Sequence, residues 1–176
     1  LQRRGLKAFL NFWYVKTLVP AGEGSGQVAY YIMGPLLRRF PQLTPYPSYV
    51  EFEITTKCNK RCLLCEHTYF KEPSTDLTLD EFKKSIDQFA TLKWVNLTGE
   101  GDPFLTKDFP KMLRYLKEKE IQVYFGDSFD LITENVAKEL VDMDVDGIYI
   151  SMDAATKETY EKMKAGCNFE RANKNI

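Results

Sequence analysis

Three cysteines, Cys58, Cys62 and Cys65, lie within eight residues of one another with the spacing Cys-x3-Cys-x2-Cys. Three thiolates on one short segment can bind three irons of a cubane iron–sulfur cluster. The fourth iron would then have no protein ligand, so a substrate or cofactor could coordinate it. A disulfide framework would instead spread its cysteines along a small secreted chain. The clustering favours a metal site in a reducing compartment, and we expect a cytoplasmic protein.

Two other interpretations of these cysteines stay open. Zinc could take all three together with His67, although Cys65 and His67 are only two residues apart, which is tight for a closed tetrahedral site. The cysteines could also be unligated. The neighbouring Asn59, Lys60 and Arg61 argue against that interpretation, because they make the segment polar rather than core-like.

Three further polar segments could hold a ligand beside such a cluster. In the first, residues 98–103, glycines allow a close backbone approach and carboxylates can accept hydrogen bonds from a cationic amine. Taken alone, that segment would be a turn rich in turn-forming residues. The second, residues 126–129, contributes a serine. The third, residues 151–154, places a hydroxyl and a carboxylate on one face of a strand. The candidate ligand-binding residues are Gly99, Glu100, Gly101, Asp102, Ser128, Ser151 and Asp153.

Strand and helix patterns that could position these segments alternate from Tyr49 onward. Two-residue alternation and short apolar runs predict strands over 49–55, 93–98, 121–125 and 147–151. Helical patterns cover 78–90, 107–120, 133–143 and 156–164, and a last helix begins near Glu170. Four β–α units of this kind predict an α/β fold with a parallel sheet and outer helices. The cysteines and the polar segments follow strand ends, where sites form in such folds.

The predicted strands alternate between apolar and polar side chains. Phe52 and Ile54, for example, interleave with Glu51 and Glu53. Parallel strands buried on both faces usually read as continuous apolar runs instead. One face can therefore pack against helices, while the polar face would line a ligand-holding lumen or, in the alternative interpretation, face solvent.

The composition bounds the remaining function classes. Hydrophobic residues make up 44% and charged residues 28%, as in ordinary globular proteins. The formal net charge of −1 supplies no basic field for nucleic acid, and no apolar run reaches the length of a transmembrane helix. We expect two regions, a helical arm and linker over 1–45 and a core domain over 46–176. Because the chain opens at Leu1 rather than Met, we expect a fragment or a processed product.

The cysteine motif and its surroundings resemble the radical S-adenosylmethionine (SAM) superfamily. The run from Glu53 to Asn59 is similar to the branch whose members carry C-terminal auxiliary-cluster (SPASM-type) domains. Residues 98–103 resemble the Gly-Gly-Glu-Pro motif of that family, and residues 151–153 resemble its Ser-x-Asp motif. The three motifs follow one another in the family's order.

This resemblance implies a function and a set of cofactors. Cys58, Cys62 and Cys65 would hold a [4Fe-4S] cluster whose unique iron binds SAM. Reductive cleavage of SAM would give methionine and a 5′-deoxyadenosyl radical, which abstracts hydrogen from a peptide, a protein or a small metabolite. Residues 99–102 would hold the methionine end, and Ser128, Ser151 and Asp153 the ribose or the substrate. A reductant such as flavodoxin or ferredoxin would supply the electron.

Several residues depart from the family pattern. Asp102 stands where Glu is usual and Ser128 where Asn is usual, and Leu64 replaces an aromatic that would stack on adenine. Cys167 takes the place of a small residue, so we expect it to be incidental. The family core is a partial (β/α) barrel of six units. Truncation after about four predicts that a C-terminal segment or another chain completes it. The alternative function is a non-catalytic iron–sulfur or zinc-binding partner subunit with a degenerate form of this fold.

Overall fold

The computed structural model describes residues 35–36, 38–40, 47–71 and 73–176. Most of the predicted arm, and the predicted boundary between residues 45 and 46, lie outside these residues. Residues 49–87 and 93–176 belong to one compact unit, which carries every candidate site residue. Within the described residues, no helix is both long enough and apolar enough to span a membrane.

Strands and helices alternate through this unit, as the sequence predicts. In chain order the elements are β1 (Tyr49–Glu51), β2 (Arg61–Cys62), a 3₁₀ turn (Glu66–Thr68), α1 (Leu79–Ile86), β3 (Trp94–Asn96), a second 3₁₀ turn (Pro103–Leu105), α2 (Phe109–Glu118), β4 (Gln122–Asp127), α3 (Glu134–Asp142), β5 (Gly147–Ile150), α4 (Lys157–Met163), β6 (Lys164–Ala165) and α5 (Phe169–Asn175). Strands β1, β3, β4 and β5 form one parallel sheet in that order. The predicted α/β fold, a partial (β/α) barrel, is confirmed.

The helix starts follow from local chemistry. Thr78 and Glu81 form a capping box at the start of α1: the Glu81 amide donates to the Thr78 hydroxyl, and the Thr78 amide donates to the Glu81 carboxylate. Thr133 accepts a hydrogen bond from the Val136 amide at the start of α3. Pro110 lies in the first turn of α2, where its missing N–H costs nothing.

The hydrophobic core lies between one face of the sheet and the outer helices. Val95, Val123 and Phe125 point toward the helices and are almost fully buried. The Phe109 ring of α2 meets the Phe125 ring edge-on, with centroids 5.2 Å apart. Burying such side chains stabilises the fold by about 1.5–3 kcal/mol each. This packing fixes the sheet, and with it the ends of the strands.

The opposite face of the sheet is polar and aromatic. Glu51, Asn96, Tyr124 and Gly147 occupy one level of the strand register on this face. Near it, the Trp94 and Tyr124 rings stack with centroids 5.6 Å apart. The alternation in the sequence therefore reports two different environments, a core face and an inner face.

The helix predicted over 78–90 ends at Ile86, and two other features differ from the predicted elements. The first strand ends at Glu51, because Ile54 and Thr55 turn to the segment before α1, where the Leu77 amide donates to the Ile54 carbonyl. The second is the antiparallel pair β2–β6, which joins Cys62 to Lys164. The predicted helix over 156–164 is wrong at its last residue, because Lys164 lies in this strand pair. Two-residue strands are too short to leave a periodic signal.

Candidate functional site

A cavity of about 330 Å³ opens at the carboxyl ends of the parallel strands. The three cysteines and the seven predicted ligand-binding residues line it, although they come from four different loops. They are Cys58, Cys62, Cys65, Gly99, Glu100, Gly101, Asp102, Ser128, Ser151 and Asp153. The fold therefore brings these ten residues together, and their individual roles stay predictions.

The cysteine segment is held on both sides of Cys62. The β2–β6 pair links Cys62 to Lys164, and the Leu63 amide donates to the Met163 carbonyl over 2.7 Å. The Thr68 hydroxyl donates to the Cys62 carbonyl, also over 2.7 Å. All three thiols are free and half-buried at the wall of the cavity. Loop geometry of this kind leaves the sulfur atoms available to a ligand.

A zinc site and a cubane cluster make different demands on the arrangement of these thiols. In the described part of the chain, no three His, Cys, Asp or Glu side chains converge on a point that one metal ion could occupy. A closed zinc site requires such convergence. A cubane does not, because each thiolate binds a different iron. His67, the fourth ligand of the zinc interpretation, does not line the cavity, and its Nδ1 is buried without a hydrogen-bond partner.

The two glycines of the 99–102 segment permit close packing against the protein itself. A Cβ at Gly101 would lie 2.1 Å from the carbonyl oxygen of Thr55. A Cβ at Gly99 would lie 2.4 Å from Oε1 of Glu53. The sequence argument assigned these glycines to a close approach of the ligand. The structure adds an internal reason, because they let this segment rest on the chain that leads into Cys58.

Lys60 and Asp102 form a buried ion pair at the back of the cavity. Burial alone would lower the pKa of the Lys60 ammonium, but the hydrogen bond and charge of Asp102 outweigh it and raise that pKa. The Phe104 amide donates to the other carboxylate oxygen of Asp102 over 3.0 Å. Sequence reasoning missed the role of Lys60, because its partner is 42 residues away.

Asp127, the last residue of β4, and Ser128, which follows it, are both buried. Burial, and then the negative charge of Asp102, raise the pKa of Asp127 to about 6. The Asp127 carboxylate accepts from the Phe129 amide over 2.5 Å, where Phe129 takes a left-handed backbone conformation with φ of 61°. The Ser128 hydroxyl is buried without a hydrogen-bond partner at the cavity wall. A bound ligand could supply the missing partner.

Lys164 is a second cation that sequence reasoning missed. Its ammonium donates to the Ser151 hydroxyl over 2.8 Å and lies 3.2 Å from Oδ2 of Asp153. Burial raises the pKa of the Cys62 thiol, and the positive charge of Lys164 acts in the opposite direction. One buried lysine therefore connects the cysteine segment to both candidate residues after β5. The sequence pattern placed Lys164 in a helix, so nothing pointed to this role.

Comparison with known proteins identifies the family of this chain. Residues 52–176 match the family profile described as the radical SAM superfamily. The chain belongs to this superfamily. It is 32% identical over 108 residues to the tungsten-containing aldehyde ferredoxin oxidoreductase cofactor-modifying protein of Pyrococcus furiosus, covering 60% of this chain and 30% of that protein. It is 30% identical over 127 residues to a probable GTP 3′,8-cyclase of Methanococcus maripaludis, covering 70% of this chain and 42% of that protein.

Solved structures share the radical SAM fold with this chain. Streptococcus suis SuiB bound to S-adenosylmethionine aligns with a TM-score of 0.64 at 13% identity, covering 97% of this chain and 41% of SuiB. SuiB bound to its precursor peptide SuiA aligns with a TM-score of 0.63 at 13% identity, covering 97% of this chain and 46% of that chain. The radical SAM chain described here thus spans less than half the length of these relatives.

Proposed function

We propose that this chain is the cofactor-binding part of a radical SAM enzyme. Cys58, Cys62 and Cys65 hold a [4Fe-4S] cluster, and SAM occupies the adjoining cavity. When bound, these groups supply a 5′-deoxyadenosyl radical, formed by reductive cleavage of SAM, which abstracts hydrogen from the substrate. The observation that supports the proposal is one cavity lined by all three cysteines and by the segments that resemble the family's SAM-binding motifs.

Different residues around the cavity bind different parts of SAM. The segment 99–102 holds the methionine end, since it supplies carboxylate groups for a cationic amine. Ser128 supplies an unpaired hydroxyl, and Ser151 and Asp153 supply polar groups for the ribose or the substrate. Lys164 holds the last two side chains in place through its ammonium group.

The substrate and the electron donor belong to the same proposal. Since SuiB was solved with a precursor peptide, a peptide or protein substrate fits the fold, and a small metabolite fits the relatives that act on cofactors or GTP. We propose a cytoplasmic protein served by a reductant such as flavodoxin or ferredoxin.

Anaerobic reconstitution tests the proposal. The wild-type chain, loaded with iron and sulfide, should show the absorbance of a [4Fe-4S] cluster and, after reduction, an electron paramagnetic resonance signal that changes when SAM is added. Product analysis should then detect 5′-deoxyadenosine. The triple Cys58→Ala, Cys62→Ala, Cys65→Ala variant should lose the cluster. The matched Cys167→Ala variant should keep it, because Cys167 packs against Tyr160 rather than lining the cavity.

The outcomes separate this function from its alternatives. A cluster signal that survives the triple substitution would refute the ligand assignment. A cluster that forms without any 5′-deoxyadenosine would support a non-catalytic iron–sulfur subunit. Anaerobically purified protein that contains zinc and no iron would support the zinc-binding subunit.

A further inference from the structure

The two carboxylates of the 99–102 segment have different surroundings. Asp102 is already satisfied by the protein: one oxygen pairs with the Lys60 ammonium, and the other accepts from the Phe104 amide over 3.0 Å. Only 2% of the Asp102 side chain is exposed, and only 5% of the Lys60 side chain. Asp102 therefore forms part of the back wall of the cavity and presents almost no surface to a ligand.

The backbone holds Asp102 in this position. The Asp102 amide donates to the Lys57 carbonyl over 2.7 Å, one residue before Cys58. The close approach of Gly101 to Thr55 leaves no room for the segment to shift toward the cysteines. To bind a cationic ligand instead, Asp102 would have to leave Lys60 as a buried, unpaired charge, which is strongly unfavourable.

Glu100 has the opposite surroundings. Its backbone amide donates to Oε1 of Glu53 over 2.7 Å, which anchors the residue. The residue is half-buried and lines the cavity, and in the described part of the chain its carboxylate has no hydrogen bond or ion pair. Of the two carboxylates, it is the one that can accept a new cationic partner without breaking an existing contact.

We infer that Glu100 binds the cationic amine of SAM, while Asp102 is the internal counter-ion of Lys60, which makes Lys60 a positioning residue for the cluster segment. The inference rests on the proposed function and deepens it. Asp102 stands where the family usually has Glu, and Lys60 occupies a position between the first two cysteines. The Lys60–Asp102 pair joins the cysteine segment to the SAM-binding segment, and Glu100 faces the ligand beside it.

SAM binding to the reconstituted chain, measured by isothermal titration calorimetry, tests the ligand assignment. Glu100→Gln should weaken SAM binding about tenfold or more, since it removes a charge-assisted hydrogen bond. The matched Glu66→Gln variant should bind SAM as the wild type does, because Glu66 is exposed and does not line the cavity. Both variants should keep the urea midpoint and the cluster absorbance of the wild type.

A double-mutant cycle tests the role of Lys60. Lys60→Met alone should lower the urea midpoint and weaken SAM binding, because it leaves Asp102 buried without its partner. Adding Asp102→Asn should restore the midpoint and bring SAM affinity to within about threefold of the wild type, because no unpaired charge then remains. An unconnected pair of structural residues would show no such rescue.

Distinct results would overturn the inference and the proposed function. If the wild type binds SAM and Glu100→Gln binds it equally well, Glu100 is not the ligand. If the folded double variant holds its cluster but loses SAM binding, Asp102 is the ligand. If the double variant fails to fold, the comparison of Glu100→Gln with Glu66→Gln still shows whether Glu100 binds SAM. A wild-type chain that holds a cluster and binds no SAM would refute the proposed function itself.

Discussion

The ammonium of Lys164 donates a hydrogen bond to the hydroxyl of Ser151 over 2.8 Å. Strand β6, which begins at Lys164, pairs with the strand that contains Cys62, so this contact joins the cysteine segment to the end of β5. The same ammonium pairs with Asp153. Two elements that are far apart in the sequence are thereby held at one wall of the cavity.

Removing this charge should change the titration of Cys62. Because Lys164 opposes the rise that burial causes, Lys164→Met should raise the pKa of the Cys62 thiol further. The measurement is the pH dependence of alkylation by iodoacetamide, in metal-free chains whose other cysteines are replaced by alanine. The midpoint should move to higher pH. Lys157→Met, which removes an exposed lysine paired with Glu170, should leave it unchanged. An equal midpoint in the two variants would contradict the assignment.

Two glycines of the cavity should respond differently to alanine. Gly101→Ala should destabilise the fold by about 2–3 kcal/mol, because its Cβ would collide with the Thr55 carbonyl, a backbone atom that cannot give way. Gly126→Ala should change the free energy of unfolding by no more than about 0.5 kcal/mol, since its Cβ would meet Thr98 at an ordinary 3.6 Å. Urea unfolding of the metal-free chains gives both values, and similar costs would show that the packing argument is wrong.

Local signals in the sequence account for the parts of the fold and site that could be predicted. The spacing of the cysteines, the Thr78–Glu81 capping box and the turn-forming glycines each depend on residues close together in the chain. The alternation along the strands depends only on which neighbour faces the core. These patterns were enough to assign the fold and to gather the candidate residues at one edge of the sheet.

The two buried lysines could not be predicted in the same way. Lys60 appears in a polar loop, where an exposed lysine is the usual expectation, and its partner Asp102 comes from another loop. Lys164 continues a helical pattern but forms a strand pair with Cys62. Both cases depend on tertiary contacts between distant segments, which no local periodicity encodes. The charges that organise the cavity were therefore visible only in the structure.

The ion pair between Arg171 and Asp130 should contribute measurably to stability. Arg171 of α5 binds both oxygens of Asp130, over 3.0 and 2.7 Å, and the Asp130 side chain is completely buried. Arg171→Leu should lower the free energy of unfolding by about 2 kcal/mol, because it leaves a buried carboxylate without its cation. The arginine itself is half-exposed, which limits the loss. Arg114→Leu, which breaks an exposed pair with Glu139, should cost less than about 1 kcal/mol. Equal losses on urea unfolding would mean that burial of the carboxylate does not matter.

The titration of the Asp127 carboxyl group should be visible in the pH dependence of stability. Its pKa rises from 3.8 to about 6 on folding, because burial and the charge of Asp102 disfavour the carboxylate. Between these two values the folded chain binds a proton that the unfolded chain does not bind. The contribution of Asp127 to the free energy of unfolding should therefore fall as the pH rises through this interval and stay level above it.

Asp127→Asn removes this contribution while keeping an acceptor for the Phe129 amide. In metal-free chains at pH 7.5, the free energy of unfolding of the variant should exceed that of the wild type by about 2–3 kcal/mol, since each unit of pKa shift corresponds to about 1.4 kcal/mol. At pH 4.5 the advantage should shrink to less than about 1 kcal/mol, because the wild-type carboxyl is then neutral in the folded state. Exposed Asp142, changed to Asn, should give the same small difference at both pH values. An Asp127→Asn advantage that does not depend on pH would show that this carboxyl is not the group that titrates.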